Sequence, residues 1–316
     1  MSRLEPVKSF VLALASTAVL FLSAVAVPLV GFLLIPLVPQ PALAFGLKHG
    51  RVRGVGLLGL GTVLFLWFGG RELALGFGIV ALMVILLYGS LGKGRSIESV
   101  IAGTAAGMLA AVWSVLVVQF GSFEGVREVI RGALRANLEL SVRVYEQIGF
   151  SQESMAVLRE RAPQLIEIAL QVLPALTFLG FGVVILINVF FLRRRFPDRD
   201  RIVQAGDLRE WRSPEPLVWC LIVSGFALFV PGWRAMEILA LNFFLVIAAL
   251  YFFQGLAIVA YYFHHKNVPV ALRSLAYALI ILEQMLALLV VGLGLFDLWG
   301  DFRRLKKKDL NPSQAS

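Results

Sequence analysis

Glu283 stands in the apolar run LIILEQMLALL with Gln284 beside it, and Gln254 stands in LYFFQGLAIV. A carboxyl or carboxamide within such a run is costly to expose to hydrocarbon, so it faces protein, takes a partner and marks a functional hypothesis. With Asn242, these residues make the candidate intramembrane polar site. If 235–263 and 270–297 form an antiparallel hairpin turning near Val268, Gln254 and Glu283 both lie ~20 Å along their helices from the turn. At equal depth, a hydrogen bond between them is expected. Asn242 then falls near the level of Gly292 and Gly294. Two chemistries suit the pair. One is a bond that glues two helices, worth about 0.6–2 kcal/mol. The other is a solute or proton site, with burial favouring protonated Glu283.

Other chemistries find little support. His49, His264 and His265 are the only histidines and lie in loops beside basic residues, and Cys220 is the only cysteine. There is no H-E-x-x-H, no cysteine pair and no acidic cluster with metal-ligand spacing. GSLGKGRS lacks the spacing and the Ser/Thr of a phosphate loop, and no serine sits in a nucleophile elbow. The expectation is a non-enzyme with no catalytic residue, metal or cofactor.

The elements that carry these residues follow from composition. Of 316 residues, 59% are apolar and 16% charged, with mean hydropathy +0.84. A soluble domain is about 45–50% apolar and about 25% charged, so a soluble globular protein is excluded, as are a disordered chain and a disulfide scaffold. About 20 apolar residues cross a bilayer as a helix. The runs predict an all-α polytopic membrane helix bundle with eight or nine spans. The second run, to Leu47, carries Pro36, Pro39 and Pro41 and should be kinked or partly unwound unless neighbours satisfy the freed carbonyls. Gly103, Gly107 and Ala111 form a small-residue stripe for helix packing on the fifth run.

From Phe123 to Gln164 charges alternate in sign around an apolar stripe of helical period, which predicts an amphipathic extramembrane segment of two helices divided near Gly149–Ser151. Arg193, Arg194 and Arg195 open the run RRRFPDRDR, a cytoplasmic stop signal and a candidate lipid or partner contact. The predicted organisation is a six-span bundle over 1–192 (with the 123–164 insertion), a basic cytoplasmic loop at 193–213, a membrane hairpin region at 214–302 and a basic polar tail at 303–316. With the N-terminus inside, most loop cations lie inside and 123–164 lies outside. Three full crossings after Arg212 would then place Arg303, Arg304 and Lys306–Lys308 outside, against the positive-inside rule. One of the last three runs, with Leu217–Val230 the first suspect, is then re-entrant, or the tail is translocated.

WRSPEPLVW (211–219), NFFLVIAALYFFQGLAIV (242–259) and GLGLFDLWGDFRRL (292–305) together resemble the C-terminal signature of the YybS-like bacterial membrane proteins, a predicted membrane domain of unknown function. The resemblance implies a multi-pass protein of the bacterial cytoplasmic (inner) membrane and carries no activity or catalytic residue. More loosely, the first six spans resemble the substrate-binding components of vitamin transporters. Two functions stay open. One is a small-solute-binding or transport-associated component. The other is a non-catalytic scaffold or assembly factor acting through the amphipathic segment and the basic loop. The expected partners are the lipid bilayer, a membrane partner protein or a second copy of the chain, and a small solute, with nucleic acid disfavoured.

Overall fold

The computed structural model describes residues 4–27, 31, 33–92, 94–149, 151–196, 206–230 and 232–303. These are helical throughout, with no strand among them: α1 (Leu4–Ala26), a 3-10 turn (Ile35–Leu37), α2 (Gln40–His49), α3 (Arg51–Phe68), α4 (Gly70–Ser90), α5 (Ile97–Phe120), α6 (Phe123–Gln147), α7 (Gln152–Arg195), α8 (Leu217–Ala227), α9 (Arg234–His265), α10 (Val270–Leu282) and α11 (Gln284–Gly300). Lys93, Arg199, Arg201 and 304–316, to which the sequence assigned topological weight, lie outside the described residues.

Among the described residues, six helices are long and apolar enough to cross a membrane, and only 22–39% of each span's apolar window is buried. Outward apolar faces of that extent are stable only against lipid. The chain is a multi-pass helical membrane protein. Against the eight or nine spans expected, the candidate spans among the described residues number six, or seven if the bent pair α10–α11 is one span. The second run is short because Pro39 and Pro41 have no N–H to return to the carbonyls four residues back, so the helix breaks into the 3-10 turn and the ten-residue α2. The eleven residues of α8 reach only ~17 Å, about half the hydrocarbon thickness.

Backbone contacts divide the chain into two compact units, Met1–Val129 with Thr177–Ala205, and Ile130–Leu176 with Gly206–Ser316. The amphipathic segment from Ile130 therefore groups with the C-terminal helices, not with the N-terminal spans. In the first unit the broken run is the buried centre, through Val38, Ala42 and Leu43, with Leu57, Leu58, Phe77 and Leu87 around it. Phe77 packs edge-to-face with Phe21 and tilted against Phe65, at ring separations of 5.4 and 4.9 Å. Gly107 of the predicted stripe approaches α4, since an added Cβ would lie 3.2 Å from Leu86. Gly103 has nothing within 4 Å and is exposed, while Ala111 is half-buried. The buried face of α5 is instead Val100, Thr104, Ala105 and Met108.

In the second unit α6 ends at Gln147, Gly149 takes φ +90° and α7 begins at Gln152, so the amphipathic segment divides where the sequence placed it. The second of its helices runs on without a break into a membrane span. At the C-terminus, α10 and α11 meet at Glu283 with a bend of 101°. The Tyr262 hydroxyl, near the end of α9, donates to the Phe302 carbonyl just past α11 at 2.7 Å. Since α10 starts five residues after α9 ends, both ends of the α10–α11 pair lie at the same end of this unit. The pair is a broken span or a re-entrant loop, and a shared end is what a re-entrant loop requires. With Cys220 replaced, single cysteines at Lys266 and Lys306 should be labelled from one side of the membrane and a cysteine at Trp233 from the other. Labelling of Lys306 from the Trp233 side would make the pair a crossing.

Candidate functional site

Two buried polar clusters stand out, one in each unit. The C-terminal cluster begins with Pro214, which disfavours helix at the preceding residue and leaves Ser213 free to point its N–H and hydroxyl across the unit. Both donate to Oε1 of Gln254, at 3.0 and 2.6 Å. Gln254 Nε2 donates to Oδ2 of Asp297 at 3.3 Å. Asp297 stands in the last turn of α11, where the negative end of the helix dipole disfavours a carboxylate. Two further donors and a nearby charge offset that cost: Arg303 Nη2 donates to Oδ2 at 2.8 Å, the Phe302 N–H donates to Oδ1 at 2.9 Å, and the Arg212 guanidinium stands 3.8 Å from Oδ2 as an ion pair without a hydrogen bond. Arg212 also pairs with Asp301. Arg303 Nη1 donates to the carbonyls of Arg209 and Trp211 at 2.7 and 3.0 Å.

The side chains of Asp297 and Arg303 are both fully buried. Two carboxylates face two guanidiniums, so the cluster is neutral as a whole. It clasps the loop before α8 to α9 at Gln254 and to the end of α11. Beside it on the surface, the Arg209 guanidinium binds Asp207 and holds that carboxyl below its ordinary range.

The expected pairing of Gln254 with Glu283 is corrected. Gln254 is buried as expected, but among the described residues its partners are Ser213 and Asp297. Glu283 and Gln284 are exposed at the hairpin tip. The reason is the bend: α10 turns away at Glu283, and it is α11 that packs on α9, with Gly255 and Gly294 at the crossing. The level of Gln254 is therefore that of Asp297. Asn242 is corrected too. It turns to α7, where Nδ2 donates to the Gln171 carbonyl at 2.7 Å and Oδ1 accepts from the Ala175 N–H at 2.7 Å. These are the two ends of one helical i→i+4 pair, next to Pro174, so Asn242 bridges the ladder at a proline kink. Arg193, Arg194 and Arg195 end α7, with Arg194 and Arg195 exposed.

The second cluster was not anticipated. Asn188, on α7 in the first unit, is fully buried. Its Nδ2 donates to the Pro36 carbonyl at 2.8 Å and to Val184 O at 2.7 Å. Gln40 Nε2 donates to the Asn188 carbonyl and to its Oδ1, both at 2.9 Å. Among the described residues nothing donates to Gln40 Oε1, and Gln40 is half-buried. Tyr88 adds a hydroxyl to the same broken run, donating to the Ala42 carbonyl at 2.6 Å. The rule that selected Gln254 also selects Asn188 (VILINVFF), Gln40 (VPQPALAF) and Asp297 (LGLFDLWG), all polar residues in apolar surroundings.

The three segments that carried the family resemblance meet in the clasp: 211–219 gives Arg212 and Ser213, 242–259 gives Gln254, and 292–305 gives Asp297, Asp301 and Arg303. Comparison with curated proteins gives no match, and comparison with solved structures gives none either. Residues 15–298 match the family of predicted membrane proteins designated DUF2232, and the chain belongs to that family.

Proposed function

We propose that this protein is a non-catalytic, small-solute-binding component associated with membrane transport, with its candidate solute site at the broken second run of the first unit. The observation that carries this reading is the discontinuous segment through Ile35–Leu37, held by Asn188 and Gln40 in a unit of otherwise apolar helices. Short or proline-interrupted membrane segments are the best pointer to binding sites in transporters, because unwound backbone offers carbonyls and helix ends to a ligand. The open acceptor of Gln40 suits a neutral solute with a hydrogen-bond donor. A second interrupted segment, α10–α11, lies in the other unit, and paired interruptions in two halves favour the same reading. The looser resemblance to substrate-binding components of vitamin transporters points the same way but is an analogy of fold. The bacterial cytoplasmic membrane is the setting this reading assumes.

The scaffold reading draws on α6 and the turn after it, where Leu140, Val144 and Ile148 are exposed. Native mass spectrometry of the gently extracted full-length protein separates the two. The expected result is a small-molecule adduct on the parent that Gln40→Leu removes, with a lower thermal midpoint from the two bonds to Asn188 that the variant loses. A stoichiometric protein partner and no small adduct would replace solute binding with the scaffold role.

A further inference from the structure

The outward side of α6 carries a pattern that its own unit leaves unused. Ile130, Ala133, Asn137, Leu140 and Val144 follow one another at alternating spacings of three and four residues, the repeat of a coiled-coil seam. β-Branched residues at the first position of that repeat (Ile130, Val144) with leucine at the fourth (Leu140) suit a parallel, two-stranded pair. Leu140 and Val144 are 59 and 47% exposed, Ala133 and Asn137 are exposed, and Ile130 is half-buried. Val142, across the helix from this seam, is the residue that is buried.

Lipid does not reach the seam. The 44 residues of α7 span ~66 Å, about twice the hydrocarbon thickness. Counting about 20 residues back from Arg193 puts the hydrocarbon edge near residue 172, so Arg159 stands ~20 Å beyond it. Glu146 of α6 is bound to Arg159 there at 2.7 Å. Headgroups fill only ~5–8 Å, so Leu140 and Val144 need protein to cover them.

We propose that α6 pairs in parallel with α6 of a second copy, and that Asn137 selects this occupant. Two copies inserted the same way are related by a two-fold axis along the membrane normal, which sets equal residues of the seam face to face. A carboxamide both donates and accepts, so Asn137 bonds its own counterpart. Its Nδ2 already donates to the Ala133 carbonyl at 2.9 Å, and among the described residues nothing donates to its Oδ1. One asparagine in an otherwise apolar seam fixes register and strand number at a cost in stability. Glu139 and Arg143 meet each other within one copy, at 4.0 Å, and stay off the seam. The seam is short, but confinement of both copies to one membrane raises their effective concentration. The pairing does not rest on the solute site of the first unit.

The test uses the full-length protein carrying Cys220→Ser, oxidised in its membrane. Leu140→Cys should form a disulfide-linked dimer about tenfold faster than Arg135→Cys, which lies across the helix from the seam. Asn137→Asp and Asn137→Lys each set like charges face to face, and each should raise the dimer dissociation constant about tenfold in native mass spectrometry. Co-expressed, the two variants should pair with each other and recover the parent's dimer. A monomer without the Leu140→Cys cross-link overturns the proposal, as does a different protein held in stoichiometric amount at this face. Equal cross-linking at Leu140 and Arg135 would mean random collision and overturns it too. Failure of the co-expressed variants to recover the dimer overturns the role of Asn137.

Discussion

Asp297→Ala should cost about 3–5 kcal/mol of stability, because it strands the guanidinium of a fully buried Arg303. The loss exceeds that of an ordinary surface ion pair, worth about 0–1 kcal/mol, since no water reaches either partner. Gln254 Nε2 and the Phe302 N–H lose their acceptor in the same step. Arg303→Leu should be costly for the converse reason, though less so, because Arg212 remains 3.8 Å from the carboxylate. The double variant Asp297→Ala/Arg303→Leu should be more stable than the sum of its parts, by about 0.5–3 kcal/mol, as expected for residues in contact. Equilibrium unfolding of the full-length protein in micelles measures all three. An Asp297→Ala loss under about 1 kcal/mol, the range of an exposed pair, would mean that the clasp is solvated.

Fold class was legible because hydrocarbon imposes one strong rule: an apolar run of helical length spans or is buried. The amphipathic segment was legible for a similar reason, since its charges keep the 3.6-residue period up to Gly149. Span number was harder to read, because hydropathy does not register a bend. The run through Glu283 is apolar on both sides, yet the chain turns by 101° there. That one angle moved Glu283 to an exposed tip and gave its assumed place beside Gln254 to Asp297. Arg303 was read as the start of a basic tail, and no local pattern distinguishes a stop-signal arginine from a buried one. What distinguishes it is Asp297, six residues earlier and across the end of α11. Asn242 shows the same limit from another side, since its partner is a proline kink 67 to 71 residues away.

Gly294→Ala should be the most damaging one-carbon change on α11, and Gly292→Ala, two residues away, should be harmless. At Gly294 an added Cβ would lie 2.0 Å from the Tyr251 carbonyl oxygen and 2.8 Å from the Gly255 nitrogen. At Gly255 it would lie 2.0 Å from the Val290 carbonyl oxygen. The obstacles are backbone atoms, so no rotamer change relieves them and the helices must separate. Overpacking of this kind costs about 1–3 kcal/mol, and sometimes more. Separation also acts on the clasp, because Gln254 already stands 3.3 Å from Asp297, and a shift of half an ångström puts that bond beyond useful range. Gly294→Ala should therefore weaken the coupling between Gln254 and Asp297 in a double-mutant cycle as well as lower stability. Gly292 has nothing within 4 Å of an added Cβ. Alanine there should gain the helix-propensity difference, about 0.5–1 kcal/mol. The two substitutions add the same atom to the same helix, so any general effect on expression or insertion is shared. Opposite signs in the unfolding midpoint would establish the crossing, and equal effects would mean that α9 and α11 do not touch at these glycines.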